Sequence, residues 1–366
     1  MARFLPIAAV RHRVGCLVTL LALGAPSPCA ADDRAAGEIV TTLDPRLRFV
    51  FHARDGAHWF GSNGAGAYRY DGKGLLRFTS AHGLTGNEIT ALQEDSAGSV
   101  LVGTGEGVSR FDGRAFHALP LADASRRTWT LGPDDVWLPG PGDSGSVYRF
   151  DGKELFHLTI PKTKRGDAFE ELYPRSKYPN IKWGPYDVYT VFRDSRRHVW
   201  FGTANLGACR YDGNSFAWIA ETDAGLGEYH SGGTRSVVED KDGRFLIGRT
   251  IHAFEVDVPV ASRPPEKGSV APMRFRKAPG IGTEGDPYSD FMSAVKDDQG
   301  RLWFATLGSG VWRFDGARWT QYPILHEGEQ IRIFSLHLDR QGVLWVGTNE
   351  HGAYRLEGGA FKPFRP

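Results

Sequence analysis

One pattern recurs seven times along the chain and restricts its fold more than any other feature. Each copy contains short runs of alternating apolar and polar residues separated by Asp and Gly, as in residues 89–119. Period-two alternation with such turns indicates a meander of short strands. The second run of each copy carries a large apolar anchor, usually followed two residues later by Gly. The seven anchors, spaced 36 to 63 residues apart, are Trp59, Leu101, Trp137, Trp200, Leu246, Trp303 and Trp345.

A four-stranded unit repeated about every 40–45 residues is typical of a β-propeller. We therefore predict an all-β fold, a seven-bladed β-propeller of four-stranded antiparallel blades, over residues 32–366. The composition agrees, because 46 Gly and five anchor tryptophans suit many tight turns between packed strands. Asp-Gly pairs such as Asp71-Gly72 predict hairpin turns, and Asp95-x-x-Gly98 predicts the turn between the first two strands of a blade.

The first 31 residues differ from the rest of the chain. Arg3, Arg11 and Arg13 precede an apolar run at 16–25, and small residues follow up to Ala31. This order predicts a secretory signal peptide cleaved after Ala30 or Ala31. The apolar run is too short to span a membrane, which takes about twenty residues. We expect a periplasmic or secreted protein whose mature chain has no membrane span.

Charge and cysteine content exclude several functions. The chain has 44 basic and 43 acidic residues, and no basic surplus that would favour nucleic acid. Of its three cysteines only Cys209 lies beyond the predicted signal peptide, so we expect no internal disulfide. The sequence contains no CxxC or HExxH spacing, and the acids of the turns lack the dense spacing of a calcium loop. We predict no metal site and no cofactor.

The repeat resembles that of the two-component regulator propellers. The resemblance is closest in residues 84–119, 186–219 and 291–366, where runs such as Leu344-Trp-Val-Gly-Thr precede an Arg-aromatic-Asp-Gly ending or a variant of it. It implies an extracytoplasmic sensing propeller of the kind found in membrane-bound histidine kinases, often reading carbohydrates. No kinase or membrane helix follows the last repeat before Pro366, so phosphotransfer is not expected, and a signalling role is expected by analogy only. The virginiamycin B lyase propellers are another possible relative, but their repeat motif is not found in this sequence.

Candidate binding residues lie in the loops that lead into the innermost strands. These loops surround one mouth of the central channel, and polar or aromatic residues interrupt the apolar repeat there. Carboxylates, guanidinium groups and aromatics in a ring would suit a polyhydroxylated or anionic ligand. The candidates are Asn87, Glu88, Trp129, Tyr186, Asp187, His230, Arg235, Tyr288, Asp290, Gln330 and Arg332.

Two blade junctions carry insertions, at 161–186 and 257–288. Long insertions in a compact repeat are usually functional or disordered. The first is basic and rich in aromatics, and we predict that it covers the channel mouth. Its candidate lid residues are Lys177, Tyr178, Lys182 and Trp183.

Three functions remain open from the sequence. The first is a sensor-type propeller that binds a small molecule or glycan, or a protein partner such as a membrane sensor, without chemistry. The second is an extracellular lyase or glycoside hydrolase, in which Glu88, Asp187, Asp290 and His230 supply acid and base groups. The third is a structural scaffold, favoured if the channel mouth is flat and plugged.

Overall fold

The computed structural model describes residues 37–123, 125, 128–142, 145–174, 176–180, 184–219, 233–248, 253–257, 269–270, 274–278 and 291–366. Along these residues seven antiparallel sheets follow one another, and the seven-bladed propeller is confirmed. The predicted signal peptide lies outside the described residues.

In six blades the first strand lies nearest the channel, whereas blade 1 begins with a fifth, outermost strand that precedes its inner strand. Blade 1 contains β1 (Glu38–Val40), β2 (Leu47–His52), β3 (His58–Ser62), β4 (Ala67–Tyr70) and β5 (Leu75–Phe78), followed by a 3₁₀ helix (Ser80–His82). Blade 2 contains β6 (Ile89–Glu94), β7 (Val100–Thr104), β8 (Gly107–Phe111) and β9 (Phe116–Ala118). Blade 3 contains β10 (Val136–Pro139), β11 (Ser146–Phe150) and β12 (Leu155–Thr159), followed by helix α1 (Lys164–Leu172). Blade 4 contains β13 (Val188–Arg193), β14 (Val199–Thr203), β15 (Ala208–Tyr211) and β16 (Phe216–Ile219).

The remaining blades repeat the same order. Blade 5 contains β17 (Val237–Glu239), β18 (Phe245–Ile247), β19 (Ala253–Asp257) and β20 (Arg274–Ala278). Blade 6 contains β21 (Phe291–Lys296), β22 (Leu302–Thr306), β23 (Val311–Phe314) and β24 (Trp319–Tyr322), followed by a small hairpin of β25 (Leu325–His326) and β26 (Glu329–Gln330). Blade 7 contains β27 (Ile333–Leu338), β28 (Leu344–Thr348), β29 (Ala353–Glu357) and β30 (Ala360–Pro363).

The repeated turn acids tie the turn to the anchor of the next strand. In blade 7 the Asp339 Oδ1 accepts the Val343 N–H at 2.8 Å, while Oδ2 accepts the Trp345 indole N–H at 2.8 Å. Asp297 makes the same bond to Trp303 at 2.9 Å. One carboxylate thus satisfies both the turn backbone and a buried indole, as predicted for a turn residue rather than a cation ligand.

Hydrophobic clusters hold the blades together. Seven clusters of buried side chains are described, and each lies between two neighbouring sheets, with Trp200 and Phe245 for example joining blades 4 and 5. Each blade therefore buries its two faces on its neighbours, so stability belongs to the ring as a whole.

Blade 3 departs from the predicted four strands. Its described residues form three, with β10 innermost between β6 and β13. Residues 128–135, where the first strand was expected, form no strand, and the Trp129 ring stacks on Trp137 at 5.5 Å. Pro139 stands near the position where other blades have Gly, and it has no N–H to donate to an added strand.

The two predicted insertions differ in structure. The Thr163 side chain caps α1 by accepting the Gly166 N–H. The hydroxyl of the buried Tyr186 accepts the Thr163 N–H at 2.7 Å and donates to the Thr163 carbonyl oxygen at 3.1 Å. Tyr186 therefore anchors the helix to the propeller. The second insertion, 257–288, includes β20, the outer strand of blade 5. Most of its other residues lie outside the described part of the chain.

Candidate functional site

A β-bulge recurs at the mouth end of the inner strands. In blade 1, Leu47 pairs with Ser62 but Phe49 pairs with Gly61, so one residue between them has no partner. The same shift follows the first residue of the inner strand in blades 2, 4, 6 and 7. Such a bulge re-aims the extra side chain. The five bulged residues are Arg48, Thr90, Tyr189, Met292 and Phe334.

The small residue of the anchor motif makes room for this bulge. A Cβ on Gly347 would lie 2.7 Å from the Ser335 Oγ, and one on Gly202 would lie 2.3 Å from the Thr234 carbonyl oxygen. Both distances are far below a normal carbon contact, so a side chain here would push the inner strand away. A small residue after the anchor is therefore favoured by close packing rather than by the turn, and blade 6 has Ala305 at this position beside the same bulge.

Blade 5 supplies a sixth equivalent residue. Leu246 pairs with Val238, as Trp59 pairs with Phe51 in blade 1, and three residues before Val238 stands Arg235. In all six blades this position falls eleven residues before the anchor. In blade 3 the same count leads to Arg126, which lies outside the described residues.

These six side chains converge on one cavity at the channel mouth. The cavity has a volume of about 750 Å³, and all six line it, together with the loop after β10 (Pro139, Gly140 and Gly142). At the six positions blades 1, 2, 4 and 5 have charged or hydroxyl-bearing side chains, whereas blades 6 and 7 have Met292 and Phe334. Ser293 and Ser335 of blades 6 and 7 line the cavity as well, so only the six positions divide into a polar and an apolar set.

The charged groups of the wall are held in defined positions. Arg48 Nη1 lies 2.8 Å from the Glu88 Oε1, which pairs blade 1 with the entrance of blade 2. The Arg235 guanidinium lies over the Tyr189 ring, 4.2 Å from its centroid, a cation–π contact between blades 5 and 4. Burial, opposed by the charge of Arg235, raises the pKa of Tyr189, so its phenol keeps its proton at neutral pH.

Asp187 stands at the entrance of blade 4. Its Oδ2 accepts the Gly184 N–H at 3.1 Å, and its carbonyl accepts the Ala204 N–H at 2.9 Å. These bonds fix the loop before β13 while the carboxylate lines the cavity. Acid, base and aromatic groups therefore face one volume, as a binding site for a small polar molecule requires.

Three of the residues predicted for the site, Glu88, Asp187 and Arg235, line this cavity. Asn87 instead accepts the Ser80 N–H and shapes the preceding loop, while Trp129 packs between blades 3 and 4 and Tyr186 anchors α1. Gln330 and Arg332 line a separate cleft of about 450 Å³ beside the β25–β26 hairpin. Lys177 and Tyr178 are exposed in the segment after α1. His230, Tyr288, Asp290, Lys182 and Trp183 lie outside the described residues.

Sequence reasoning missed the other five bulged residues. It selected the loops one or more residues before each strand, whereas the residues aimed into the cavity follow the first strand residue. The signal that could have found them is the constant distance of eleven residues before the anchor, at which residue type varies after a residue that is apolar in five of the six blades.

Among the described residues one group has the composition of a metal site. It lies at the turn ends of blades 1 and 7, far from the bulges. The ligand atoms of His52, His58 and Asp339 lie within 4.8 Å of one another. However, His52 Nδ1 accepts the Arg340 N–H at 3.1 Å, which places the proton of the neutral ring on Nε2. No lone pair of His52 is then left for a cation, so the bonds present do not fit a metal site.

Comparison with known proteins agrees with the fold. Residues 328–350 match the family model described as "Two component regulator propeller", which confirms the resemblance seen in the sequence. The extracellular domain of the BT4673 one-component system of B. thetaiotaomicron is similar in structure, with a TM-score of 0.55 and 20% identity over 87% of this chain and 39% of that chain. This chain therefore spans well under half of that domain.

Propellers with an enzymatic name are similar to the same degree. A streptogramin B lyase has a TM-score of 0.58 and 12% identity over 88% of this chain and 96% of its own. A virginiamycin B lyase from Staphylococcus aureus, solved with quinupristin, has a TM-score of 0.55 and 14% identity over 87% and 97%. At such identity these likenesses concern the fold alone. No curated protein matches the chain in sequence.

A search of the described helices for a membrane span is negative. None is both long and apolar enough to cross a bilayer.

Proposed function

We propose that this protein is an exported, sensor-type propeller that binds a small ligand in the cavity at the channel mouth. One observation carries the proposal. At the residue before each bulge the repeat keeps an apolar, buried side chain in five blades, whereas the bulged position itself holds Arg, Thr, Tyr, Met or Phe. A position that served only packing would not vary in this way while facing a common cavity.

The wall chemistry suggests the class of ligand. Arg48 and Arg235 offer planar donors for a carboxylate or another anion, and Tyr189 offers a hydroxyl group. Met292 and Phe334 offer an apolar surface across the cavity. We therefore favour an amphipathic small molecule with an anionic or hydroxyl-rich part, including glycans with an apolar substituent.

Export and signalling follow from the sequence and from analogy. The first 31 residues have the order of a signal peptide, and a similar solved structure is an extracellular domain of a one-component system. A membrane sensor protein is accordingly the partner that we propose for the liganded propeller.

A ligand screen with paired variants tests the site. Glycan and metabolite libraries are screened by thermal shift on the full chain, and affinity for each hit is measured by calorimetry. Arg235→Ala should weaken binding at least tenfold, because it removes both an anion donor and the cation–π contact with Tyr189. Arg332→Ala is the matched control, since Arg332 lines the separate cleft. Equal affinity in both variants would contradict the proposal.

A second candidate function is an extracellular lyase or hydrolase. It is favoured by the placement of Glu88 and Asp187 on the wall of one cavity, where two acids could serve as acid and base. With a screened hit as substrate, Glu88→Gln and Asp187→Asn should abolish turnover and retain binding. If the protein binds the hit but never converts it, the enzymatic function is rejected and ligand binding remains the proposed function.

A further inference from the structure

Six of the seven blade junctions join sheets that are consecutive along the chain, and one does not. Blade 1 is built from residues 38–78 and blade 7 from residues 333–363. Among the described strands none passes from one sheet into the other, because β1 pairs with β5 at the outer edge of blade 1. The junction of blades 1 and 7, called the seam below, is therefore closed by side-chain packing and by individual hydrogen bonds.

A clasp recurs at two of the other junctions. The Arg54 N–H in the turn of blade 1 donates to Glu94 Oε1 at 2.8 Å, and Glu94 is the last residue of the inner strand of blade 2. The Ser195 N–H in the turn of blade 4 donates to Glu239 Oε2 at 2.7 Å, and Glu239 ends the inner strand of blade 5. In each case a carboxylate of one blade holds the turn of the blade before it.

At the seam the same position holds a histidine. The Arg340 N–H in the turn of blade 7 donates to Nδ1 of His52, which ends the inner strand of blade 1. A second bond crosses in the opposite direction, from the His52 N–H to Nε2 of His337 in β27, and both bonds measure 3.1 Å. Two backbone donors of the seam are therefore accepted by imidazole nitrogens.

An imidazole can accept at a ring nitrogen only while that nitrogen has its lone pair. A protonated ring carries N–H groups at both nitrogens, so each of these bonds would become a contact between two donors. An ionised carboxylate has acceptor oxygens only, and carboxyl groups as a class ionise at a lower pH than imidazole does. The seam is thus closed by a different chemistry from that of the Glu94 and Glu239 clasps.

We propose that the seam is a pH-sensitive closure of the propeller, held shut by neutral His52 and His337 and loosened when these two rings take up protons. Opening would separate β2 from β27, whose mouth-end residues Arg48 and Phe334 line the ligand cavity. Acidification would therefore act on the proposed site from the other end of the same strands. This consequence for ligand rests on the proposed function, whereas the closure itself does not.

The charged groups around the two rings do not compensate a proton. His58 from β3 stacks on His52 at 4.3 Å, and its Nε2 lies 3.5 Å from the Asp339 Oδ2, which already accepts the Trp345 indole N–H. Arg340 belongs to the turn and pairs with Glu94 at 3.3 Å, and Arg355 from β29 adds a further positive charge near His58.

The pKa directions of His337 and of the neighbouring His58 both favour a neutral ring. Burial, with the neighbouring His52, lowers the pKa of His58. Burial likewise lowers the pKa of His337 to about 4, although Asp339 opposes the shift. Consider a histidine that stays neutral while the seam is closed and has a pKa near 6.5 once the seam is open. For such a residue the equilibrium constant for opening the seam rises by up to tenfold for each pH unit below 6.5.

Hydrogen exchange on the full chain tests the closure, with internal controls in the same molecule. Protection factors, corrected for the intrinsic pH dependence of exchange, are compared between pH 7.0 and 5.0. The amides of His52 and Arg340 should lose at least tenfold in protection, whereas those of Arg54 and Ser195 should change less than threefold. His52→Glu, which installs the residue of the other clasps, should reduce the loss at Arg340.

Two results would overturn the closure. One is equal retention of protection at the seam and at the Glu94 and Glu239 clasps, and the other is an equal loss at all of them, which would indicate global unfolding. The comparison within the unsubstituted chain decides the matter even if His52→Glu does not fold. Ligand affinity measured at both pH values is a separate readout: its failure to change would affect the link to the site and not the closure.

Discussion

The two ends of each inner strand follow different rules. At the turn end five blades, all except 1 and 3, have an Asp directly after the inner strand that binds the turn backbone, and in blades 4, 6 and 7 it also accepts the indole N–H of the anchor. At the mouth end a bulge presents a different side chain in almost every blade. Constant chemistry at one end indicates what the ring needs to stay folded, and varied chemistry at the other indicates what it recognises.

The largest effect is expected from removing an anchor at the turn end. Trp200 is fully buried between blades 4 and 5, and its indole donates to Asp194. Trp200→Ala should cost about 3–5 kcal/mol in the free energy of unfolding, because it leaves a cavity and an orphaned acceptor. Urea titration measures it, with Tyr189→Ala at the mouth end of the same blade as the matched variant. A larger loss for Tyr189→Ala would break the distinction between the two ends.

Acid should weaken the ring in two steps. The pKa of His337 is lowered by burial to about 4 from 6.5, so its stabilising contribution is complete above pH 6.5 and is lost as the pH falls to about 4. That shift corresponds to roughly 3 kcal/mol. The second step belongs to Asp297. Burial would raise the pKa of its carboxyl group, but hydrogen bonds from Trp303 and Arg301 outweigh burial and lower it. The contribution of Asp297 to the free energy of unfolding is therefore lost only as the pH falls below the ordinary value of 3.8.

Urea unfolding at pH 7, 5 and 3.5 separates these two steps. His337→Gln retains an acceptor that does not titrate in this range and should flatten the curve between pH 6.5 and 4. The step below pH 4 should remain in that variant. An unchanged curve above pH 4 would show that His337 is not responsible for the first step.

A substitution at the residue that makes room for the bulge should connect the two ends. A Cβ on Gly202 would lie 2.3 Å from the Thr234 backbone oxygen, next to Arg235. Gly202→Ala should cost about 1–3 kcal/mol by displacing the neighbouring strand, and it should also weaken the binding of a screened ligand. Gly74→Ala is the control for loss of a glycine, since nothing lies within 4 Å of its added Cβ and its φ is not positive. Chemical denaturation and calorimetry would show whether both properties change together.

The smallest effect on stability is expected at Thr90, one of the polar positions of the mouth. Thr90→Ala should change the free energy of unfolding by less than about 1 kcal/mol, because Thr90 Oγ1 has no hydrogen-bond partner among the described residues. Its effect on ligand affinity, measured by calorimetry, should exceed its effect on stability. The reverse order would assign Thr90 to packing.

The sequence was sufficient for the repeat, the turns and the number of blades, because alternation and Asp-Gly punctuation are local signals. It was insufficient at blade 3, where Trp129 was predicted to lie in a loop at the channel mouth and instead packs against Trp137. It selected Glu88, Asp187 and Arg235 from the loops but missed Arg48 and Tyr189, because a bulge depends on pairing between strands. The hydrogen bonds of the seam could not be predicted from the sequence for the same reason, since His52 and His337 are 285 residues apart.

The central claim is that the six bulged or equivalent positions form one binding site. A crystal structure of the full chain with a ligand from the screen tests it most directly. We expect the ligand to contact Arg235 and Tyr189 on one side and Met292 or Phe334 on the other, within the cavity at the channel mouth. A ligand bound in the cleft of Gln330 and Arg332, or between blades away from these positions, would contradict the claim.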